Sequence, residues 1–293
     1  MISIIITAFK EPKTIGKAIE SILKQKTNIK YELLVFAPDK ETLNAAKKIK
    51  DNKLKIYQDE GKGKPSALNI AFKKAKGNIL ILTDGDVYIS DNSINEIIKP
   101  FKDKKIGAVS GRPMSLNPRN NMLGYFSHLL TDEGAHETRL KLNKENKYLI
   151  CSGYLMAIRN KIIKQIPEVS LADDAVISNL IYLKNYKIKY TPEAKVYVKF
   201  PTTLRDWIKQ KRRSAGGYSQ MKKIIKSKDE MRSFIKESKE VLRALKYPKT
   251  IKEIYWTLIL IILRLYLWLD IFINIKLRKQ SFSKIWNRIE STK

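Results

Sequence analysis

The sequence predicts an α/β protein with a mostly parallel central sheet and flanking helices, extended by a C-terminal hydrophobic helical segment. Three observations carry this expectation. Short β-branched-rich runs alternate with stretches of helical periodicity through the first third of the chain. One of those runs, Asn78-Ile79-Leu80-Ile81-Leu82-Thr83-Asp84-Gly85-Asp86, is apolar without alternation and ends in two carboxylates separated by one glycine. Residues 254–275 form the longest apolar run, close to the C-terminus. Strand–helix alternation implies right-handed crossovers and a parallel sheet, and a continuously apolar strand fits one covered on both faces.

Taken in order, residues 3–9 read as the first strand, and their exit Thr7-Ala8-Phe9-Lys10-Glu11-Pro12 leads into a helix over 13–26 with Ile15, Ala18, Ile19, Ile22 and Leu23 on one face. Strands are expected at 31–36 and 54–57 and helices at 41–50 and 64–76, before the run that ends at Asp86. Beyond it, 93–101 reads as helix, 106–111 as strand, and 117–141 as a helix or helix pair carrying both histidines. Residues 148–158 are strand-like with a turn at Cys151-Ser152-Gly153-Tyr154. A helix at 173–183 and two strands at 187–190 and 194–198 follow. Residues 203–226 read as a basic helix interrupted at Gly216-Gly217.

With 293 residues and 43% hydrophobic content, the chain can bury one large domain with additions and is not disordered. Cys151 is the only cysteine, which excludes an internal disulfide framework, and with His128 and His136 it offers no set for structural zinc. The N-terminal run lacks a basic flank and is too short for a secretory signal, so the sequence predicts a cytoplasmic chain.

Net charge is +29, a field that favours polyanions such as nucleotides or anionic lipid. The excess is uneven: residues 199–250 hold 16 basic against 5 acidic side chains, and residues 276–293 hold 6 against 1. Run 254–275 is long enough to cross a bilayer, but Arg264 at its centre would cost about 2.5 kcal/mol or more there. The basic tail with Lys276, Arg278 and Lys279 would also fall on the wrong side of a single crossing. An in-plane helix or hairpin avoids both objections, with Tyr255, Trp256, Tyr266, Trp268 and Trp286 in the interfacial zone and cations on anionic headgroups. The opposing expectation is a buried helix that packs on the domain or on a second copy.

Ligands of open α/β sheets bind at the carboxyl ends of strands, so Asp84 and Asp86 are expected at the mouth of a crevice. A Mg²⁺ or Mn²⁺ ion that carries a diphosphate needs only one or two carboxylates, because phosphate oxygens and waters complete its shell. Asp and Gly are equally common in turns. The neighbouring motifs decide between the two.

Those motifs are Gly63-Lys64-Pro65-Ser66-Ala67-Leu68-Asn69, Leu171-Ala172-Asp173-Asp174, Thr191-Pro192-Glu193-Ala194 and Gln210-Lys211-Arg212-Arg213. In this order, with Asp84-Gly85-Asp86, the chain resembles a family 2, GT-A-fold inverting glycosyltransferase over residues 1–220. Residues 221–293 then form a basic helical C-terminal region with its membrane-associating segment at 254–275. The resemblance implies a nucleotide-diphospho-sugar transferase-like sheet, a nucleotide-diphosphate sugar as donor, and Mg²⁺ or Mn²⁺ held by Asp86 and Asp84, with Asp84 nearer the ribose and sugar. It implies Asp174 as the general base that takes the acceptor proton. Thr7, Glu11, Lys64, Gln210 and Arg213 fall where donor contacts are expected, Arg212 beside them can also grip diphosphate, and Gly153 falls on the acceptor side.

Departures from the pattern matter too. Position 173 is Asp instead of Glu; adjacent acids raise one another's pKa, yet two acids before a helix also serve as N-terminal caps. Ser214 replaces the tryptophan that follows the arginine, which weighs against processive synthesis. Asp39 either takes the place of the base-reading aspartate of relatives or is a turn residue, so the nucleotide stays open. The expected acceptor is lipid-linked or a cell-surface glycan, at the cytoplasmic face of the membrane. A sugar-nucleotide nucleotidyltransferase would show a glycine-rich loop after the first strand, which is absent. A nucleic-acid binder would need aromatics interleaved with its basic face and leaves the carboxylates unexplained, so no nucleic-acid partner is expected.

Overall fold

A computed structural model describes residues 1–225, 243–273 and 289–292. The basic stretch 226–242 and the tail positions from Lys276 to Trp286 lie outside the described residues. Strands β1 (Ile2–Thr7), β2 (Tyr31–Ala37), β3 (Leu54–Gln58), β4 (Ile79–Asp84), β5 (Val87–Ile89), β6 (Ile106–Ser115), β7 (Leu155–Arg159) and β8 (Lys187–Val198) form one sheet in the order β3-β2-β1-β4-β7-β6-β8-β5. The β1, β2, β3 and β4 block is parallel throughout, as the alternation predicts.

The sheet as a whole is mixed and not purely parallel: β5 and β7 run against the other six strands. β7 runs antiparallel to both β4 and β6, and β5 antiparallel to β8. The connection after β6 explains the reversal. It begins at the carboxyl end of the sheet and returns there, so that Leu155, the first residue of β7, pairs with Thr83 near the end of β4. A strand entered from that side has to run backwards. The two strands expected at 187–190 and 194–198 are one: β8 is continuous, and its register against β6 jumps from Ser110↔Tyr190 to Arg112↔Lys195. Thr191-Pro192-Glu193-Ala194 stand against the single Gly111, where proline cannot donate to the ladder and a bulge absorbs the excess.

Helices α1 (Ile15–Leu23), α2 (Lys40–Lys47) and α4 (Ser93–Ile98) cover one face of the sheet, and α3 (Lys64–Lys74) and α7 (Asp173–Leu183) the other. Alternate residues of the buried strands divide between the two cores: Ile4, Ile6, Leu33, Val35 and Ile81 on one side, Ile5, Leu34, Phe36, Leu80 and Leu82 on the other. The segment with both histidines is α5 (Met122–Leu129), a wider π-type turn over Leu130–His136, and α6 (Glu137–Lys144).

Helix α8 (Leu204–Ile225) passes through Gly216 and Gly217 without a break, contrary to the expected interruption. A Cβ on Gly217 would fall 2.8 Å from the Ala172 Cβ, so glycine here lets α8 lie against the start of α7. Helix α9 (Ile251–Ile271) is two-sided. Glu253, Thr257, Leu260, Leu267 and Ile271 are buried, and Leu260 and Leu267 join Tyr125, Phe126, Leu129 and Trp207 in a third core between α5, α8 and α9. Arg119 clasps Glu253 through Nε at 2.8 Å and Nη2 at 3.0 Å, and the Tyr125 hydroxyl meets Thr257 Oγ1 at 2.6 Å. The opposite face exposes Ile254, Tyr255, Leu258, Ile262, Leu265, Tyr266 and Leu269. Among the described residues α9 alone is long and apolar enough to cross a membrane.

Candidate active site

Asp84 is the last residue of β4, beside Thr7 at the end of β1, whose Oγ1 lies 3.5 Å from Asp84 Oδ1. Gly85 then turns the chain tightly. A Cβ there would sit 2.4 Å from Glu11 Oε2 and 2.7 Å from the Ala8 Cβ, so only glycine lets the β1 exit loop and the Asp84–Asp86 turn share this space. Glu11 is buried, and its backbone N–H donates to Thr42 Oγ1 at 2.7 Å.

The Lys64 ammonium at the start of α3 lies 2.7 Å from Asp84 Oδ1 and 3.3 Å from Asp173 Oδ2. All three side chains are mostly covered, with 28%, 21% and 17% exposure respectively. Burial alone would lower the pKa of Lys64, but the carboxylates of Asp173 and Asp84, with Asp174 beyond them, outweigh it and raise it. Burial raises Asp84 and Asp173 above the usual carboxylate range against the pull of Lys64, and each acid is also pushed up by its neighbour, Asp84 by Asp86 and Asp173 by Asp174. Three carboxylates, Asp84, Asp173 and Asp174, thus act on one ammonium.

Asp174 faces another way. Its Oδ2 accepts the Gly153 N–H at 3.0 Å and its Oδ1 the Ala175 N–H at 2.8 Å. A Cβ on Gly153 would come within 3.3 Å of Asp174 Oδ2, so glycine lets this turn approach the carboxylate closely. Tyr154, next in the chain, links both halves: Thr83 Oγ1 donates to its carbonyl at 2.8 Å, and its phenol is raised by burial first and then by Asp86, while Arg213 acts in the opposite sense. That field brings Arg213 of α8 to the same crevice. Gln210 stands less than one turn before it on the same helix and is half-buried.

Asp39 caps α2 by accepting the Thr42 N–H at 2.9 Å, and its second oxygen takes the Lys10 N–H at 2.7 Å. Burial works against its charge, but the hydroxyl and N–H groups of Thr42 and the Lys10 N–H prevail and hold its pKa below the usual value. It stitches the exits of β1 and β2 together, with Asp59 at the exit of β3 within its field. Arg212 does not enter the crevice: its Nη2 lies 2.7 Å from Asp270 Oδ1 and its Nε 2.7 Å from Oδ2, on α9.

The expected residues Thr7, Lys64 and Asp84 therefore meet directly, Asp174 acts on Lys64 and Asp86 on Asp84 through their charge, and Arg213 acts on the neighbouring Tyr154. The sequence did not assign a task to Asp173 or Tyr154. For Asp173 a signal existed, since adjacent helical residues point about 100° apart, which favours different hydrogen-bonding partners for two neighbouring acids at a helix start. Among the described residues no three or more His, Cys, Asp or Glu side chains are arranged to hold a metal by themselves. The oxygen-only pair Asp84 and Asp86 at a strand exit fits a hard cation that takes most of its shell from diphosphate and water.

The fold has known counterparts. A mannosyltransferase, PcManGT from Pyrobaculum calidifontis, solved in complex with GDP-Man and Mn²⁺, superposes with a TM-score of 0.63 at 20% identity over 87% of this chain and 72% of that one. S. aureus TarS 1-349 in complex with UDP-GlcNAc superposes at 0.53 and 19% identity over 85% and 74%. The sheet is thus of the GT-A type. In sequence, the poly-beta-1,6-N-acetyl-D-glucosamine synthase of Staphylococcus aureus is 26% identical over 232 residues, 74% of this chain and 54% of that protein. The hyaluronan synthase of Streptococcus pyogenes is 26% identical over 165 residues, 52% of this chain and 39% of that protein. The chain spans about half the length of the first of these relatives. Residues 1–217 match the family described as glycosyltransferase like family 2, and the chain belongs to that family.

Proposed function

We propose that the chain transfers a sugar, with inversion at the anomeric carbon, from a nucleotide-diphosphate sugar to a hydroxyl of a lipid-linked or cell-surface glycan acceptor, with Mg²⁺ or Mn²⁺ as cofactor. One observation carries the proposal: the crevice is divided, with Lys64, Asp84 and Asp173 joined on one side and Asp174 fixed by the Gly153 N–H on the other. Two neighbouring but separately held carboxylate groups suit a reaction in which one end of a bond must leave as an anion and the other be replaced by a deprotonated hydroxyl.

Asp174 accepts the proton of the acceptor hydroxyl as its oxygen attacks the anomeric carbon; the C–O bond to the diphosphate breaks, and its electrons leave with the nucleotide. Attack from the face opposite the departing group inverts the centre. Lys64 and Arg213 supply positive charge where the diphosphate departs, and arginine suits phosphate through its planar fork. A divalent cation held by Asp86 and Asp84 would add Lewis-acid stabilisation of that same leaving group. Thr7, Glu11 and Asp39 border the side of the crevice away from Asp174, which suits the nucleoside, and Gln210 accompanies Arg213.

The two-sided α9 supports action at the cytoplasmic face of a membrane. One face is fixed to α5 and α8, and its exposed apolar stripe suits the headgroup boundary, with the basic surroundings of the chain on anionic lipid. A thermal-shift screen of nucleotide sugars with Mn²⁺ and Mg²⁺, followed by assignment of the product anomer by NMR, tests the reading. A retained anomeric configuration, or no stabilisation by any nucleotide sugar, would overturn it.

A further inference from the structure

Asp173 and Asp174 are consecutive, yet their carboxylates part company: Asp174 turns to Gly153 and Asp173 to Lys64. Lys64 has two anchors of unlike fate. Asp84 belongs to the pair assigned above to a cation, and a carboxylate that binds a dication attracts an ammonium less. Asp173 lies outside that pair. Lysine carries its charge on a flexible four-carbon stem whose ordering costs side-chain entropy, so an ammonium that loses Asp84 needs a second partner to stay in place.

Resting on the glycosyl-transfer reading, we propose that Asp173 is a positioning residue, which keeps the Lys64 ammonium in the crevice when a donor arrives and so presents it to the anionic diphosphate. Asp173 then acts on donor binding through Lys64 and takes no part in the proton transfer at Asp174. This separates two adjacent acids into a donor-side and an acceptor-side residue.

The test compares the full chain with Asp173→Asn, Asp173→Glu, Lys64→Met and the Asp173→Asn/Lys64→Met double variant. Each is titrated calorimetrically with UDP and GDP in Mn²⁺, assayed for transfer, and melted without nucleotide to verify folding. Asp173→Asn is expected to weaken nucleotide binding and raise the donor KM about tenfold, with kcat changed less than about threefold. Asp173→Glu should recover part of the affinity, and the double variant should bind no more weakly than Lys64→Met, because the two residues act as one unit. Unchanged or tighter binding by Asp173→Asn, or a loss confined to kcat, overturns the assignment. If the wild-type chain binds neither of these nor any other nucleoside diphosphate, the glycosyl-transfer reading falls and takes this inference with it.

Discussion

Arg212 and Asp270 meet as a two-pronged ion pair, Nε and Nη2 each 2.7 Å from a carboxylate oxygen, one residue away from Arg213. The pair fastens α9 to the helix that brings Arg213 to the crevice. The C-terminal helix is therefore built into the catalytic unit. Asp270→Ala should lower stability by about 1–3 kcal/mol, the range for a charge-assisted hydrogen-bonded pair, and should weaken nucleotide binding by displacing Arg213. Denaturant unfolding and calorimetry on the same preparation check both effects.

Asp174→Asn keeps size and shape while it removes proton acceptance. Transfer is expected to fall by about 10² or more with donor affinity preserved. Near wild-type turnover would make Asp174 a structural residue that only orders the Gly153 turn.

Asp86→Ala alters a strand exit and leaves the core untouched, so the melting curve should stay in place. Mn²⁺-dependent nucleotide-sugar binding should disappear. Calorimetry with and without the metal decides, and undiminished cation-dependent binding would remove Asp86 from the metal site.

The two faces of α9 call for two kinds of variant. Deletion after Pro248 exposes Tyr125, Phe126 and Trp207 and should aggregate the remainder, because each large buried aromatic contributes about 3–5 kcal/mol. Leu258→Glu together with Ile262→Glu, on the exposed face, should leave the fold intact and abolish flotation with anionic liposomes. Wild-type flotation should weaken as salt rises, since the basic flanks are screened. A double variant that floats as well as wild type would place the lipid contact elsewhere.

Docking of α9 should also depend on pH. Arg119 first, and then the Lys249 N–H, hold Glu253 below its ordinary value of 4.5 against the opposing effect of burial. The stabilisation is thus fully present above 4.5 and is lost as pH falls through the lower folded value. Hydrogen exchange of the α9 amides between pH 6 and 3 should show this loosening, and Glu253→Gln should flatten the response.

Much of this was legible because it is local. Apolar runs, helix periodicity and strand exits located β1 to β4, α1 to α3 and the carboxylates of the crevice. What escaped is set by distant partners. The direction of β7 depends on which end of the sheet the chain re-enters, and no feature of Leu155–Arg159 encodes that. Gly216-Gly217 resembles a helix break, but Gly217 answers to Ala172, 45 positions earlier. Arg212, beside the motif arginine, reads in the sequence either as a second diphosphate grip or as part of an exposed cationic helix, and only the packing of α9 reveals Asp270 as its partner. For residues 254–275 the sequence set a packing helix against a membrane-facing one, and the described part, α9, packs one face on α5 and α8 and leaves the other exposed.

The strand order also bears on how the chain is made. Residues 2–84 supply β3, β2, β1 and β4 as one contiguous parallel block, and everything from Val87 onward builds the other half of the sheet. During synthesis the first block emerges complete, with the β4 edge unpaired until β7 follows some 70 residues later. That edge, Ile79 to Thr83, is apolar and β-rich, the kind of exposed ladder on which nascent chains misassociate. At about 5–20 residues per second it stays open for several seconds, which makes it the natural binding point for a chaperone and the place where a slow or paused ribosome would do most harm.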